Sequence, residues 1–300
     1  MAFDPRQLRV LLTVVREGSF SAAARELTMS QPAVSMVIAQ LERAVGTQLV
    51  ERGRQGAVPT QAGRILTRRA EMIETVLDLA SQEIALGMNE IEGPLVVGGT
   101  PGALMSLLPA GIARLEEQGH RFALRIVELA DPDIFPMLRS LRIDMALGTV
   151  GVGIVPDDIV ERAILSDSFV LVMKTDHVYR VPRARLSDLI ELDWVLPEVG
   201  GAFQRQIEAM FLNAGVAVPQ RAVRCDSLAT TKEIIRKTNR VTILPQRVIA
   251  TDIASGLLRQ VEIAAGPPPR LVGVRMLRER AQMPLADRLV RALSDAATDP

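Results

Sequence analysis

Three hundred residues leave room for two domains, and a composition 48% apolar and 23% charged is that of ordinary folded protein, neither low-complexity nor disordered. A membrane span and a secretory leader are unexpected, since no run of about eighteen apolar residues occurs and Arg16 and Glu17 interrupt the start of the chain; a single cysteine, Cys225, allows no intrachain disulfide and fits a reducing, cytoplasmic setting. Formal net charge is zero, yet residues 1–70 hold ten arginines against five carboxylates, the imbalance expected of a phosphate-contacting module on an otherwise acidic chain.

Leu8, Leu11, Leu12 and Val15 recur at helical spacing and stop at Gly18, so Asp4–Glu17 reads as a first helix. A second is expected over Ser21–Leu27, capped by Ser19 or Ser21, with alanines 22–24 permitting close approach of another helix. Thr28-Met29 makes a tight connection. Ser30 then caps a third helix whose first turn holds Gln31 and Pro32, where a missing N–H costs nothing. Val34, Ile38, Leu41 and Val45 form its apolar face and Gly46 ends it. The opposite face presents Gln31, Ser35, Met36, Ala39, Gln40 and Arg43.

Two helices joined by so short a turn form either a helix-turn-helix, whose second helix enters the major groove, or a generic helical hairpin. Amide and hydroxyl groups on Gln31, Ser35 and Gln40 suit base edges or phosphates. Ser21, Ser30 and Pro32 complete the candidate DNA-reading set on these helices. Residues 49–60 read as two short strands around a glycine-containing turn, a wing aiming Arg52 and Arg54 at the nucleic-acid backbone or minor groove. Thr60 caps a long amphipathic helix over Gln61–Glu90, roughly 45 Å at 1.5 Å per residue. Its stripe of Ile65, Leu66, Met72, Ile73, Val76, Leu77, Leu79, Ala80 and Ile84 needs a partner, most simply a second copy of itself. DNA half-sites about 34 Å apart would match such a dimer.

The stretch from Leu8 to Gly63 resembles the N-terminal domain of the LysR-type transcriptional regulators. The matching pieces are Gly18-Ser19-Phe20, Ala22-Ala23-Ala24, Leu27, Ser30-Gln31-Pro32-Ala33-Val34-Ser35, Leu41-Glu42, Gly46, Leu49, Glu51-Arg52 and Thr60-Gln61-Ala62-Gly63. Met36 and Ala39 stand where many relatives carry a basic or amide residue, which implies fewer contacts to DNA on that face. Val50 replaces a frequent phenylalanine, a change of packing.

Glu92-Gly93-Pro94 breaks the long helix and reads as a hinge. Strands are expected at 95–99, 125–129, 145–148, 169–173, 194–196, 221–224, 241–244 and 271–277. Helices are expected from Thr100 through Leu115 and at 134–141, 186–189, 203–214, 228–237, 246–254 and 285–296. This alternation predicts α/β architecture with parallel sheets and crossovers. Its order resembles the effector-binding domain of the same family, which implies the two-subdomain, type-two periplasmic-binding-protein fold. On that reading residues 1–60 form the winged helix-turn-helix, 61–91 a dimerisation linker, and 92–300 the effector domain. Its first subdomain would be 94–162 with 268–300, and its second 163–267.

Ligands in open α/β sheets bind beyond the carboxyl ends of strands. Thr100 follows the first strand and opens a helix, Thr149 follows the third, and Pro197–Phe203 precedes another helix with Gly200 and Gly201 permitting close approach. The resemblance implies a pocket including Thr100, Gly102, Ala130, Asp131, Thr149, Pro197, Phe203 and Ser227. Two helix N-termini at one cleft point to a small carboxylate effector, although Thr100 and Ser227 also read as ordinary helix caps.

The implied mechanism is allosteric: effector binding alters the angle between subdomains, shifts dimer or tetramer contacts and moves the DNA-reading heads. The resemblance further implies a promoter dyad in double-stranded DNA, a homodimer or homotetramer, and RNA polymerase as partners, with no cofactor and no membrane. In the family's usual pattern a divergent operon is activated and the regulator's own gene repressed. A solute-binding protein would account for residues 94–300 but not for the helix-turn-helix. An enzyme would need a catalytic constellation, and G-x-S-x-G, Walker and H-E-x-x-H motifs are all missing. The glycines of Val96–Gly102 lack dinucleotide spacing. His120 and His177 read as surface or loop residues rather than metal ligands, Cys225 as a structural thiol, and Pro267–Pro269 as a stiff crossover.

Overall fold

The computed structural model describes residues 3–53, 56–198, 201–264, 266–280 and 283–298. The chain divides into two compact units, Met1–Glu90 with Ser140–Arg142, and Ile91–Arg139 with Ile143–Pro300.

In the first unit α1 (Pro5–Glu17) is capped by Asp4, whose carboxylate accepts from the Arg6 N–H, and ends at left-handed Gly18. Helix α2 (Phe20–Glu26) is capped by Ser19, which settles the choice between the two serines. Thr28, at φ 53°, turns the chain. Helix α3 (Gln31–Val45) begins at Ser30 and ends at left-handed Gly46. Leu8, Leu11, Val14, Ala23, Val34, Ile38 and Leu41 close a buried core among the three helices. Strands β1 (Val50–Gly53) and β2 (Gly56–Pro59) pair antiparallel as the expected wing. The carboxylate of Glu42 on α3 accepts from the N–H groups of Leu49, at 2.8 Å, and Val50, at 3.2 Å. Ala57 N–H donates to the Gly18 carbonyl. Helix α4 runs Gln61–Gly87, three residues shorter than expected, capped by Thr60, which accepts from the Gly63 N–H at 3.0 Å.

The second unit contains two larger sheets. The first uses β3 (Glu92–Gly99), β4 (Phe122–Glu128), β5 (Met145–Val150), β6 (Ile159–Asp167) and β13 (Arg270–Leu277), in the order β4-β3-β5-β13-β6. Helices α5 (Pro101–Glu117) and α10 (Pro284–Thr298) bury Leu104, Leu107, Leu108, Leu289 and Leu293 against it. Helix α6 (Ile134–Arg139) packs Ile134 and Leu138 into a second cluster with Val96, Ile143 and Ala146. The second sheet has the order β11-β7-β12-β8, from β7 (Phe169–Lys174), β8 (Arg183–Ala184), β11 (Thr242–Pro245) and β12 (Leu258–Ile263). A short parallel pair, β9 (Trp194–Leu196) with β10 (Ala222–Arg224), lies beside it through a bridge from Trp194 to Val241. Helices α7 (Ala202–Asn213), α8 (Leu228–Lys237) and α9 (Ala250–Ala254) accompany these strands. Trp194 is fully buried, edge-on to Phe211 at 5.2 Å, with its ring N–H on the Leu189 carbonyl.

Several expectations need correction. The sheets are mixed: β13 runs antiparallel to both β5 and β6, and β7 antiparallel to β11 and β12. Strands β6 and β12 lie outside the expected set, because Ile-Val-Glu-Arg-Ala-Ile and Leu-Arg-Gln-Val-Glu-Ile break strict alternation; a register shift opposite Val272/Gly273 accounts for part of this in β6. Gly93-Pro94 is no hinge but lies inside β3, where the ladder is irregular between Glu92 and Leu95, a place that tolerates a residue without N–H. Thr149 belongs to β5 and does not follow it. The region 246–254 is a 3-10 turn (Gln246–Ile249) followed by α9. The expected crossing at 162/163 falls within β6, and the chain leaves the first sheet only after Asp167. His177 lies in the loop after β7, one of the two expected settings, but is buried there: its Nδ1 accepts from the Tyr179 N–H and its Nε2 lies 3.0 Å from the Asn239 carbonyl. Among the described residues no helix is long and apolar enough to cross a membrane.

Candidate DNA-reading face and ligand cavity

Capping, core and turn together decide which side of α3 faces outward. Val34, Ile38 and Leu41 are anchored inside, so the 3.6-residue repeat leaves Pro32, Met36, Ala39, Gln40 and Arg43 exposed. Gln31 and Ser35 are partly buried and bonded to each other, Nε2 to Oγ, at 2.9 Å. Ser30 is exposed but occupied as the cap, accepting from the Ala33 N–H. The Arg43 Nε–H donates to the Ala39 carbonyl along the helix, leaving other guanidinium donors for a phosphate. Ser21 is exposed on α2. Arg52 sits in β1, paired with Ala57 across the wing. Arg54 lies outside the described residues. Ile65, Ile73, Val76, Leu77 and Ile84 are exposed along α4.

In the second unit a cavity of about 370 Å³ opens between the two larger sheets. It is lined from the first by Thr100, Gly102, Ala130, Asp131 and Thr149, and from the second by Pro197, Gly201 and Phe203. These include seven of the eight expected residues. Ser227 is not among the lining residues; its hydroxyl caps α8, accepting from the Thr230 N–H. Gly200 lies outside the described residues. Much of the wall is apolar, with Leu129, Val195, Leu196, Leu244 and Val248 alongside Phe203.

The cavity's electrostatics come from residues that strand-end reasoning overlooked. Arg275, on β13, is buried and donates to Glu161 (2.7 Å), Asp131 (3.1 Å) and the Thr149 carbonyl (2.6 Å), with Phe135 under its guanidinium. Asp131 therefore faces the cavity already neutralised, and it also lies 3.8 Å from Arg205 on α7. Arg270, the first residue of β13, lines the cavity and bonds Asp167, the last of β6, at 3.3 Å. Burial pushes the Arg270 guanidinium below its ordinary value and Asp167 opposes the shift, though an arginine stays protonated. Cys225 also lines the cavity, its thiol directed to the Ser227 carbonyl. The charged positions were invisible as a set because Arg270 lies 103 residues from Asp167 and Arg275 lies 144 from Asp131, and these pairs meet only through the antiparallel return of β13.

Residues 5–64 match the family described as bacterial regulatory helix-turn-helix protein, lysR family, and residues 89–298 match the LysR substrate binding domain. A probable hydrogen peroxide-inducible genes activator of Mycobacterium avium is 29% identical over 89% of this chain and 86% of its own. The crystal structure of full-length CbnR complexed with its target DNA superposes with a TM-score of 0.72 over 98% of this chain and all of that one, at 19% identity. LysG from Corynebacterium glutamicum, solved with bound effector Arg, superposes with a TM-score of 0.60 over 98% of both chains, at 22% identity. These similarities span an N-terminal helix-turn-helix and a C-terminal domain of mixed sheets, the same two parts built above from the residues. The chain belongs to the LysR family of DNA-binding transcription regulators.

Proposed function

We propose that this regulator reads a promoter dyad in double-stranded DNA through α3 and the wing, and that a small carboxylate in the 370 Å³ cavity controls it. The observation that carries this is the pairing of two prepared sites: an exposed, capped helix of the helix-turn-helix and a largely apolar cavity whose described lining residues include one arginine. Ser21, Ser30, Gln31, Pro32, Ser35, Met36, Ala39, Gln40, Arg43, Arg52 and Arg54 make up the proposed DNA-reading set. Thr100, Gly102, Ala130, Asp131, Thr149, Pro197 and Phe203 line the proposed effector site. The effector of LysG is itself a carboxylate-bearing small molecule, which supports that class.

The division proposed is 1–60 for DNA reading, 61–91 for association, and 92–300 for the effector. The exposed apolar residues of α4 support a homodimer, or a homotetramer built from two. Effector occupancy alters the relation of the two subdomains, and the DNA-reading heads and RNA polymerase respond. No enzymatic step is assigned, and the site of action is the cytoplasm, where the chromosome is. An intrachain disulfide plays no part in this reading, since Cys225 is the single cysteine of the sequence.

The test is a footprint of purified protein on the DNA upstream of its own gene. An interrupted protected dyad, weakened by Arg52→Ala and falling steeply with salt, is the expected result. No binding at low salt, there or in a genomic library, would overturn the reading.

A further inference from the structure

Among the described lining residues Arg270 is the one cation. Its side chain is 4% exposed, yet its Nε–H has no hydrogen-bond partner among the described residues. An unsatisfied donor on a buried charge is costly, and the cost falls when an acceptor arrives. Asp167 satisfies only part of the guanidinium, through one amine at 3.3 Å, while its other oxygen accepts from the Arg247 N–H. The other charges facing the cavity are already committed or peripheral. Asp131 is held by Arg275, Asp226 accepts from the Glu198 N–H at 2.8 Å, and Glu128 is exposed.

Two neighbours favour an anion beside Arg270. The amine that touches Asp167 lies next to Gly102, where a Cβ would sit 3.7 Å away, in the first turn of the 17-residue α5. Thr100, at the N-cap of that helix, makes no side-chain cap bond, so its hydroxyl remains available. Position adds a second meaning. Asp167 and Arg270 are register partners at the ends of the two strands by which the chain passes from one sheet to the other. The ring of Phe169, first residue of β7, lies 5.8 Å from the guanidinium carbon.

We propose that Arg270 is the anion anchor of the cavity: the effector's carboxylate bonds its guanidinium in competition with Asp167, and so acts directly on the junction between the two subdomains. This rests on the carboxylate reading above and adds the residue that would enforce it.

The test uses the full chain with formate and benzoate as probes, each at 50 mM (about the level that reveals weak sites), against sodium chloride of equal ionic strength and against formamide and benzamide. Both carboxylates are expected to raise the melting temperature of the wild type by about 3 °C over chloride, and the amides to leave it unchanged. Arg270→Lys keeps part of the rise. Because Arg270→Gln alone strands Asp167, the companion variant is Arg270→Gln with Asp167→Asn, a neutral pair able to bond itself. That variant is expected to fold and to lose the rise. A rise that persists undiminished in the neutral pair overturns the anchor while leaving the carboxylate reading intact. A wild type indifferent to both carboxylates, or equally raised by the amides, overturns both.

Discussion

Glycine to alanine inside an exposed helix normally stabilises by about 1 kcal/mol, and at Gly63, in the first turn of α4, the structure reverses that sign. A Cβ there would fall inside the contact distance of the Leu49 carbonyl oxygen, 3.0 Å from its carbon and 3.3 Å from Pro59 Cβ. The obstacle is backbone, and it is held. The Leu49 carbonyl accepts from the Thr60 N–H at 2.9 Å, and the Thr60 hydroxyl, which donates to the Gln48 carbonyl at 2.8 Å, caps the helix by accepting from the Gly63 N–H. Overpacking costs roughly 1–3 kcal/mol, and disturbing two such hydrogen bonds about 1 kcal/mol each. Against the propensity gain, Gly63→Ala should destabilise by about 2–4 kcal/mol. At about 4–8 °C per kcal/mol for a unit of this size, calorimetry of the full chain should show the transition of the N-terminal unit falling by roughly 8–30 °C. Gly87→Ala, at the other end of the same helix with nothing within 4 Å of the added methyl, is the control and should hold or gain stability. If Gly63→Ala melts at or above the wild type, the packing argument is wrong and propensity governs this turn.

Other predictions address the remaining links. Glu42→Ala strands the N–H groups of Leu49 and Val50, so it should cost about 1–3 kcal/mol in denaturant unfolding; Glu42→Gln, which keeps an acceptor, should recover most of it, and equal losses in the two would refute the account. Ala39→Arg on the exposed face of α3 should tighten DNA binding at low salt and steepen the slope of log K against log salt by about 1, measured by anisotropy; an unchanged slope would mean that this face does not meet phosphate. Arg275→Met abandons two carboxylates with side chains only 11% and 18% exposed and should cost about 3–5 kcal/mol in chemical denaturation. A loss under about 1 kcal/mol would show that Asp131 and Glu161 find other partners.

The helix-turn-helix was legible in the sequence because everything that defines it is local. Asp4, Ser30 and Thr60 cap within three residues of themselves, Gly18 and Gly46 take the left-handed conformation that ends a helix, and the spacing of Leu8, Leu11, Val34, Ile38 and Leu41 states which face is buried. Repetition of such short-range signals also placed most strands of the C-terminal unit, while it was the family resemblance that pointed to seven of the residues that line its cavity. What tertiary structure alone decided is the antiparallel return of β13 between β5 and β6. That return joins Arg270 to Asp167 over 103 positions and Arg275 to Asp131 over 144, distances at which residue spacing carries no signal. Edge strand β6 escaped notice for a related reason: a register shift against β13 interrupts its alternation partway along the strand. Ser227 went the other way, since a hydroxyl before a helix has the same local sequence whether it faces a ligand or merely caps, and here it caps. Local periodicity thus determined most of the elements and the outward face of α3, while the charges that give the cavity its chemistry had to wait for the chain to come back on itself.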